Sequence, residues 1–146
     1  MTLQDHRLNV GITLAALDRG LHVLCEKSIS TSVAELSRVL DHIERKSNPA
    51  TLMVAFMRRF DDSYREAYDK IQAGVIGRLI VFRANQCQYT DTDPLYYDHL
   101  RNCGGSFIDA VIHDIDLALM FLGEDSIPKS CSAHGINAVF TDLEKN

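Results

Sequence analysis

The stretch Gly20-Leu21-His22-Val23-Leu24-Cys25-Glu26-Lys27 decides how the rest of this chain is read. Leu21 to Cys25 is an apolar run of strand length that ends on the charged pair Glu26-Lys27. Before it, residues 5–19 read as a helix with Leu8, Ile12, Ala15 and Ala16 on one face, and Gly20 suits the left-handed position just past its end. After it, Ser32 and Glu35 have capping-box spacing for a helix in which Val33, Leu36, Leu40 and Ile43 recur at helical intervals. Lys46-Ser47-Asn48-Pro49 stops that helix, and Thr51 to Phe56 is a second continuous apolar run. Strand, helix and strand, with both runs buried on two sides, is the pattern of a parallel α/β unit.

Beyond Met57-Arg58-Arg59-Phe60 the pattern starts afresh. Ser63 and Glu66 form another capping box, and Tyr64, Ala67, Tyr68 and Ile71 share a helix face until Gly74. Leu79 to Gln88 alternates as a half-buried strand does, and the polar residues 89–105 suit a long loop of the kind that often carries function. Residues 106–122 form a strong helix, with a last strand expected between Ser130 and Val139.

On the helix of residues 106–122, Phe107, Val111, Ile115, Ala118 and Leu122 are expected to make the core stripe, and Asp109, His113 and Asp116 fall on the opposite face. A histidine beside carboxylates moves protons near neutral pH, and a carboxylate holds a hydroxyl; the same spacing also describes an ordinary solvated face. Lys27 stands at the carboxyl end of a buried run, where open α/β sheets collect ligands. There it can donate to a hydroxyl or carbonyl oxygen, or it can simply snorkel beside Glu26. Arg58 and Arg59 likewise follow an apolar run and suit either an anionic or polyhydroxylated ligand or solvent. His6, His22, His42 and His99 have no local partners and receive no role.

Composition narrows the classes. With 146 residues, 46% of them hydrophobic, the chain has enough apolar matter for a packed core, either one domain or parts of two. A net charge of −5 argues against a nucleic-acid surface. Cys25, Cys87, Cys103 and Cys131 show no C-x-x-C spacing, which disfavours a zinc ribbon or dithiol motif, and no metal site is expected. The amino-terminal residues lack a signal-peptide core and no run has membrane-spanning length, so a soluble cytoplasmic protein with no membrane partner is expected.

Three motifs, in order, carry a resemblance: A-L-D-R-G-L-H-V-L-C-E-K at 16–27, A-F-M-R-R-F-D at 55–61, and G-G-S-F-I-D-A-V-I-H-D-I-D at 104–116. With I-Q-A-G-V-I-G-R at 71–78, they make the stretch Ala15–Asp125 resemble the Gfo/Idh/MocA oxidoreductases, named for glucose-fructose oxidoreductase and inositol dehydrogenase. The resemblance implies an α/β fold. Residues 1–57 would be part of a dinucleotide-binding, Rossmann-like parallel sheet, and 58–146 part of a substrate and dimerisation domain with an open, mostly antiparallel sheet. It implies hydride transfer between NAD or NADP and a sugar, polyol or inositol-like alcohol, with a homo-oligomer as a possible assembly.

Lys27 matches the lysine that touches nicotinamide and substrate, with Glu26 beside it on the cofactor side. Asp109 matches the substrate-orienting carboxylate and His113 the proton acceptor. Ser28 stands where the family usually has proline, which loosens the backbone that aims Lys27. No G-x-G-x-x-G phosphate loop occurs in the 146 residues, so the chain is expected to be shortened at both ends, to bind cofactor weakly and to lack full activity. A non-catalytic interaction or scaffold module, or an incomplete gene product, is the alternative.

Overall fold

The computed structural model describes residues 6–45, 50–87, 89, 91 and 93–136. Helix α1 (His6–Asp18) leads into strand β1 (Val23–Glu26), helix α2 (Val33–Arg45) follows, and strand β2 (Leu52–Ala55) lies parallel to β1. The register pairs Val23 with Leu52, Leu24 with Met53, Cys25 with Val54 and Glu26 with Ala55. Gly20, at φ 74°, makes the left-handed turn between α1 and β1, with its N–H donating to the Leu17 carbonyl. The β-α-β unit expected from residues 20–56 is therefore present. The stop at Lys46–Pro49 lies outside the described residues.

Among the described residues, the sheet is covered on one face rather than two. Val10, Cys25, Ile29 and Val39 form the buried core, and Leu14, Val23, Leu36, Ile43, Leu52 and Val54 pack on it. Leu24, 70% exposed, and its register partner Met53 stand on the other face of the pleat. The helix faces also differ from the expected ones. In α1 the inward residues are Val10, Thr13 and Leu17, whereas Ile12 and Ala15 are exposed; the side chain of Leu8 lies outside the described residues. In α2 the inward residue is Val39, with Leu36 and Ile43 beside it, whereas Val33 and Leu40 face solvent. Apolar residues occur on several sides of both helices, so periodicity alone cannot choose the side the sheet covers.

Capping is also relocated. Ser30, not Ser32, supplies the hydroxyl at the start of α2: it donates to Glu35 and accepts from the Ser32 N–H at 3.0 Å. Helix α3 (Asp62–Gln72) begins on Asp61, whose carboxylate accepts from the Ser63 and Tyr64 N–H groups, in place of a Ser63–Glu66 box. Glu66 instead pairs with Lys70 one turn on. Tyr64, Tyr68 and Ile71 are half-buried on α3, but Ala67 is exposed.

A short 3₁₀ turn (Met57–Phe60) joins β2 to α3. The described residues from Leu79 to Gln88 form no strand, and most are exposed. A preference for strand is a preference for a pleated, half-buried surface, and no described segment pairs with this one. Residues 89–105 hold helix α4 (Pro94–Asn102), capped by the Asp93 carboxylate on the Leu95 N–H at 2.8 Å. A π-helical turn (Phe107–Val111) then runs into helix α5 (Ile112–Leu122). Residues 130–136 of the expected last strand are exposed and irregular, and 137–139 lie outside the described residues. No described helix is long and apolar enough to cross a membrane.

Candidate active site

Strand β1 delivers its chemistry at its carboxyl end, as the geometry of parallel sheets requires. Lys27 emerges there, and its Nζ donates to the backbone carbonyl of Asp109 at 2.5 Å and to Asp109 Oδ1 at 3.0 Å. The next residue, Ser28, is buried and donates through Oγ to the Ile108 carbonyl at 2.8 Å. Two consecutive residues after β1 thus hold two consecutive carbonyls of the π-helical turn. Where proline would constrain the backbone by its ring, the Ser28 hydroxyl constrains it by a hydrogen bond. Gly104 makes the close approach possible: at φ 80°, a β-carbon there would lie 2.7 Å from Thr31 Cγ2.

The second oxygen of Asp109 is held from α4, with His99 Nε2 at 3.0 Å from Oδ2. Burial opposes the charge on Asp109, but the hydrogen bonds from His99 and Lys27 and their positive charges outweigh it and hold its pKa below the usual carboxylate value. The sequence assigns His99 no role because Asp109 lies ten residues on, beyond one helical turn. The signal that finds it is Asp93-Pro94, a cap followed by a residue suited to the first helical position, which turns the supposed loop into a helix.

His113, the second residue of α5, is 8% exposed. Its Nδ1 is enclosed without a hydrogen-bond partner among the described residues, and its ring meets Phe56 edge-on at 6.2 Å. Burial first, then the positive charges of Lys27 and Arg58, push its pKa below the ordinary value, so the ring is neutral at pH 7. Lys27 and Asp109 are in contact, and His113 sits within the field of the Lys27 ammonium. Glu26 is exposed at the last position of β1, and among the described residues no hydrogen bond joins it to this group.

The polar face of the 106–122 helix turns inward and its apolar stripe outward, the reverse of the expected orientation. His113, Asp116 and Leu117 are buried, whereas Phe107, Ile115 and Leu122 are exposed. The charges are tolerated inside because each is met. Arg59 grips both oxygens of Asp116 at 2.9 and 2.8 Å and reaches Glu124, while Arg58 pairs with Asp114 and touches Gln86 at 3.5 Å. The arginine pair after β2 thus fastens α5 instead of meeting solvent. A cleft of about 210 Å³ opens beside Asp109, lined in part by Gln86, Tyr96, Cys103 and Ser106. His99, Cys103 and Asp109 also bring three potential ligand atoms within 4.8 Å of one another.

Comparison with known proteins identifies the family to which the chain belongs. Residues 4–56 match a family profile described as an oxidoreductase family with an NAD-binding Rossmann fold, and residues 64–144 match the GFO/IDH/MocA C-terminal domain. The chain is 32% identical over 114 residues to the myo-inositol 2-dehydrogenase of Thermotoga maritima, covering 78% of this chain and 33% of that protein. It is 32% identical over 123 residues to the scyllo-inositol 2-dehydrogenase (NAD(+)) of Bacillus subtilis, covering 84% and 34% respectively. Among solved structures, the myo-inositol 2-dehydrogenase of Lactobacillus plantarum superposes with a TM-score of 0.62 at 30% identity over 78% of this chain and 34% of that one. The myo-inositol dehydrogenase of Corynebacterium glutamicum gives 0.63 at 25% identity, over 81% and 34%. The chain spans about a third of the length of the curated relatives it matches. A parallel β-α-β unit with a charged strand end, joined to a profile match over more than half its residues, makes this chain a member of the Gfo/Idh/MocA oxidoreductase family.

Proposed function

We propose that this chain carries the reacting end of an NAD(P)-dependent dehydrogenase acting on an inositol or related polyol, with residues 1–57 on the cofactor side and 58–146 on the substrate side. The observation that carries the reading is the Lys27–Asp109 contact beside a buried, neutral His113. The residues fit the nicotinamide end of the cofactor: a lysine at a parallel strand's carboxyl end, with Glu26 before it, would hold that end. When bound, the nicotinamide supplies the hydride acceptor. Lys27 donates to the reacting hydroxyl oxygen and stabilises charge that develops on it. Asp109, kept ionised by His99 and Lys27, accepts from a neighbouring hydroxyl and fixes its orientation. Neutral His113 takes the hydroxyl proton at Nε2, the ring nitrogen opposite the enclosed Nδ1.

The test is a titration of the chain with myo- and scyllo-inositol, with and without NAD or NADP, following the His113 ring protons by NMR and reduced nicotinamide by absorbance. Polyol is expected to shift the His113 resonances, and Lys27→Ala to abolish the shift. Cofactor alone is expected to bind more weakly than a micromolar dissociation constant, about −8 kcal/mol, because no G-x-G-x-x-G loop occurs in these residues. A His113 ring indifferent to every polyol tested overturns the reading.

A further inference from the structure

His99, Cys103 and Asp109 form a cluster in which Cys103 takes no part in the reaction described above and His99 enters it only through the Asp109 carboxylate. His99 and Cys103 lie four residues apart at the carboxyl end of α4, so they share one side of it, and Asp109 approaches from the π-helical turn. Their ligand atoms all lie within 4.8 Å of one another. His99 Nε2 and Asp109 Oδ2 are already 3.0 Å apart. Cys103, 1% exposed, spends its thiol on a long contact to the Leu100 carbonyl at 3.5 Å. Two ligands each ~2.1 Å from a tetrahedral zinc ion sit roughly 3.4 Å apart. The imidazole and carboxylate therefore open by a few tenths of an ångström to admit the ion, and the sulfur lies within 4.8 Å of a ligand atom of each.

We propose that His99 Nε2, Cys103 Sγ and Asp109 Oδ2 bind one thiophilic divalent ion, zinc or its like. One nitrogen, one sulfur and one oxygen match the preferences of zinc and cobalt and do not suit magnesium or calcium, which take oxygen. Thiolate and carboxylate balance the ion's two charges. Lys27 stays on Oδ1, the oxygen the ion does not need. As the ion enters, the Cys103 thiol proton passes to solvent, and the proton shared between His99 and Asp109 passes to solvent or to His99 Nδ1. Cys103 and Asp109 both line the cleft, which leaves the fourth position for water. The ion clips the end of α4 to the turn that carries Asp109. If Asp109 orients a polyol as proposed above, ion and polyol compete; the experiment below reads the ion alone and stands apart from that reading.

The experiment is a titration of the whole reduced chain with cobalt(II), monitored by the sulfur-to-cobalt charge-transfer absorption and the strong visible bands of four-coordinate cobalt, followed by displacement with zinc. The expected result is saturation at one ion per chain. Cys103→Ser removes the sulfur band, His99→Ala weakens binding by about tenfold or more, and Cys87→Ser and Cys131→Ser leave both unchanged. Absence of a saturable sulfur band, or its survival in Cys103→Ser, overturns the proposal. If Cys103→Ser alters the fold, an unchanged affinity in His99→Ala overturns it independently.

Discussion

Asp109 is the residue on which this arrangement turns, since Lys27 holds one carboxylate oxygen and the backbone carbonyl while His99 holds the other oxygen. Its pKa lies below the ordinary carboxylate value, so its contribution to stability is complete above about pH 4 and is lost as pH falls through the native value. His113 acts in the same direction at a higher pH. Its native pKa is depressed, so below about pH 6.5 the unfolded chain takes up a proton that the folded chain refuses, and stability falls from there down to the native value. Melting midpoints measured across pH should therefore decline in two stages. His113→Gln should flatten the upper stage and Asp109→Asn the lower; a midpoint unchanged between pH 7 and pH 5 contradicts the His113 assignment. The residue types Lys27, Asp109 and His113 were legible because each sits in a local motif. The partner His99 was not, because its contact crosses from one helix to another.

At the scale of elements, two joints set the site. One is the clasp of Arg59 on Asp116, in which a guanidinium meets a carboxylate that is 7% exposed. Removing one partner of a buried pair leaves a charge without compensation, so Arg59→Met should destabilise the fold by about 3 kcal/mol. The double variant Arg59→Met/Asp116→Leu should recover at least about 1 kcal/mol of that loss, because no buried charge then remains. Urea denaturation of the three proteins checks this, and a double variant weaker than the single one contradicts it. The other joint is Gly104, where a side chain would meet Thr31 in a backbone conformation that L residues resist. Gly104→Ala should cost about 3 kcal/mol by denaturant unfolding and shift the His99 ring resonances, since the turn carrying Asp109 must move. The strand, helix and strand of residues 20–56 were legible from run length and helical spacing, although the hydroxyl at the start of α2 comes from Ser30 and not from Ser32. The orientation of the 106–122 helix was not, because amphipathicity states that two faces differ and leaves open which one the neighbours can satisfy.

Across the described residues, apolar side chains are left bare at many points, among them Leu24 and Met53 on the second sheet face, Phe107, Ile115 and Leu122 along the last helix, and Ile80 and Val81 in the segment between α3 and α4. Contiguous apolar surface and unpaired strand edges favour association. Expressed as these 146 residues, the chain should elute from size-exclusion chromatography larger than 16.4 kDa, and Ile115→Lys should shift it toward the monomer. A monomeric elution with a sharp cooperative melt would contradict this.

By itself the sequence determined the local matters: the apolar runs that become β1 and β2, the glycine that ends α1, and the motif residues Lys27, Asp109 and His113. These rest on interactions within a few residues, which neighbouring letters encode directly. Only the tertiary structure decided that Ser28 binds the Ile108 carbonyl, that Arg58 and Arg59 serve α5, and that His99 and Cys103 gather about Asp109. It also turned the charged face of the last helix inward. The reason is physical: burying a charge is costly unless an opposite charge is brought to it, and that partner comes from a segment more than fifty residues away for both arginines. A local pattern encodes a helix or a strand, whereas the pairing that makes a buried carboxylate tolerable exists only once distant segments meet.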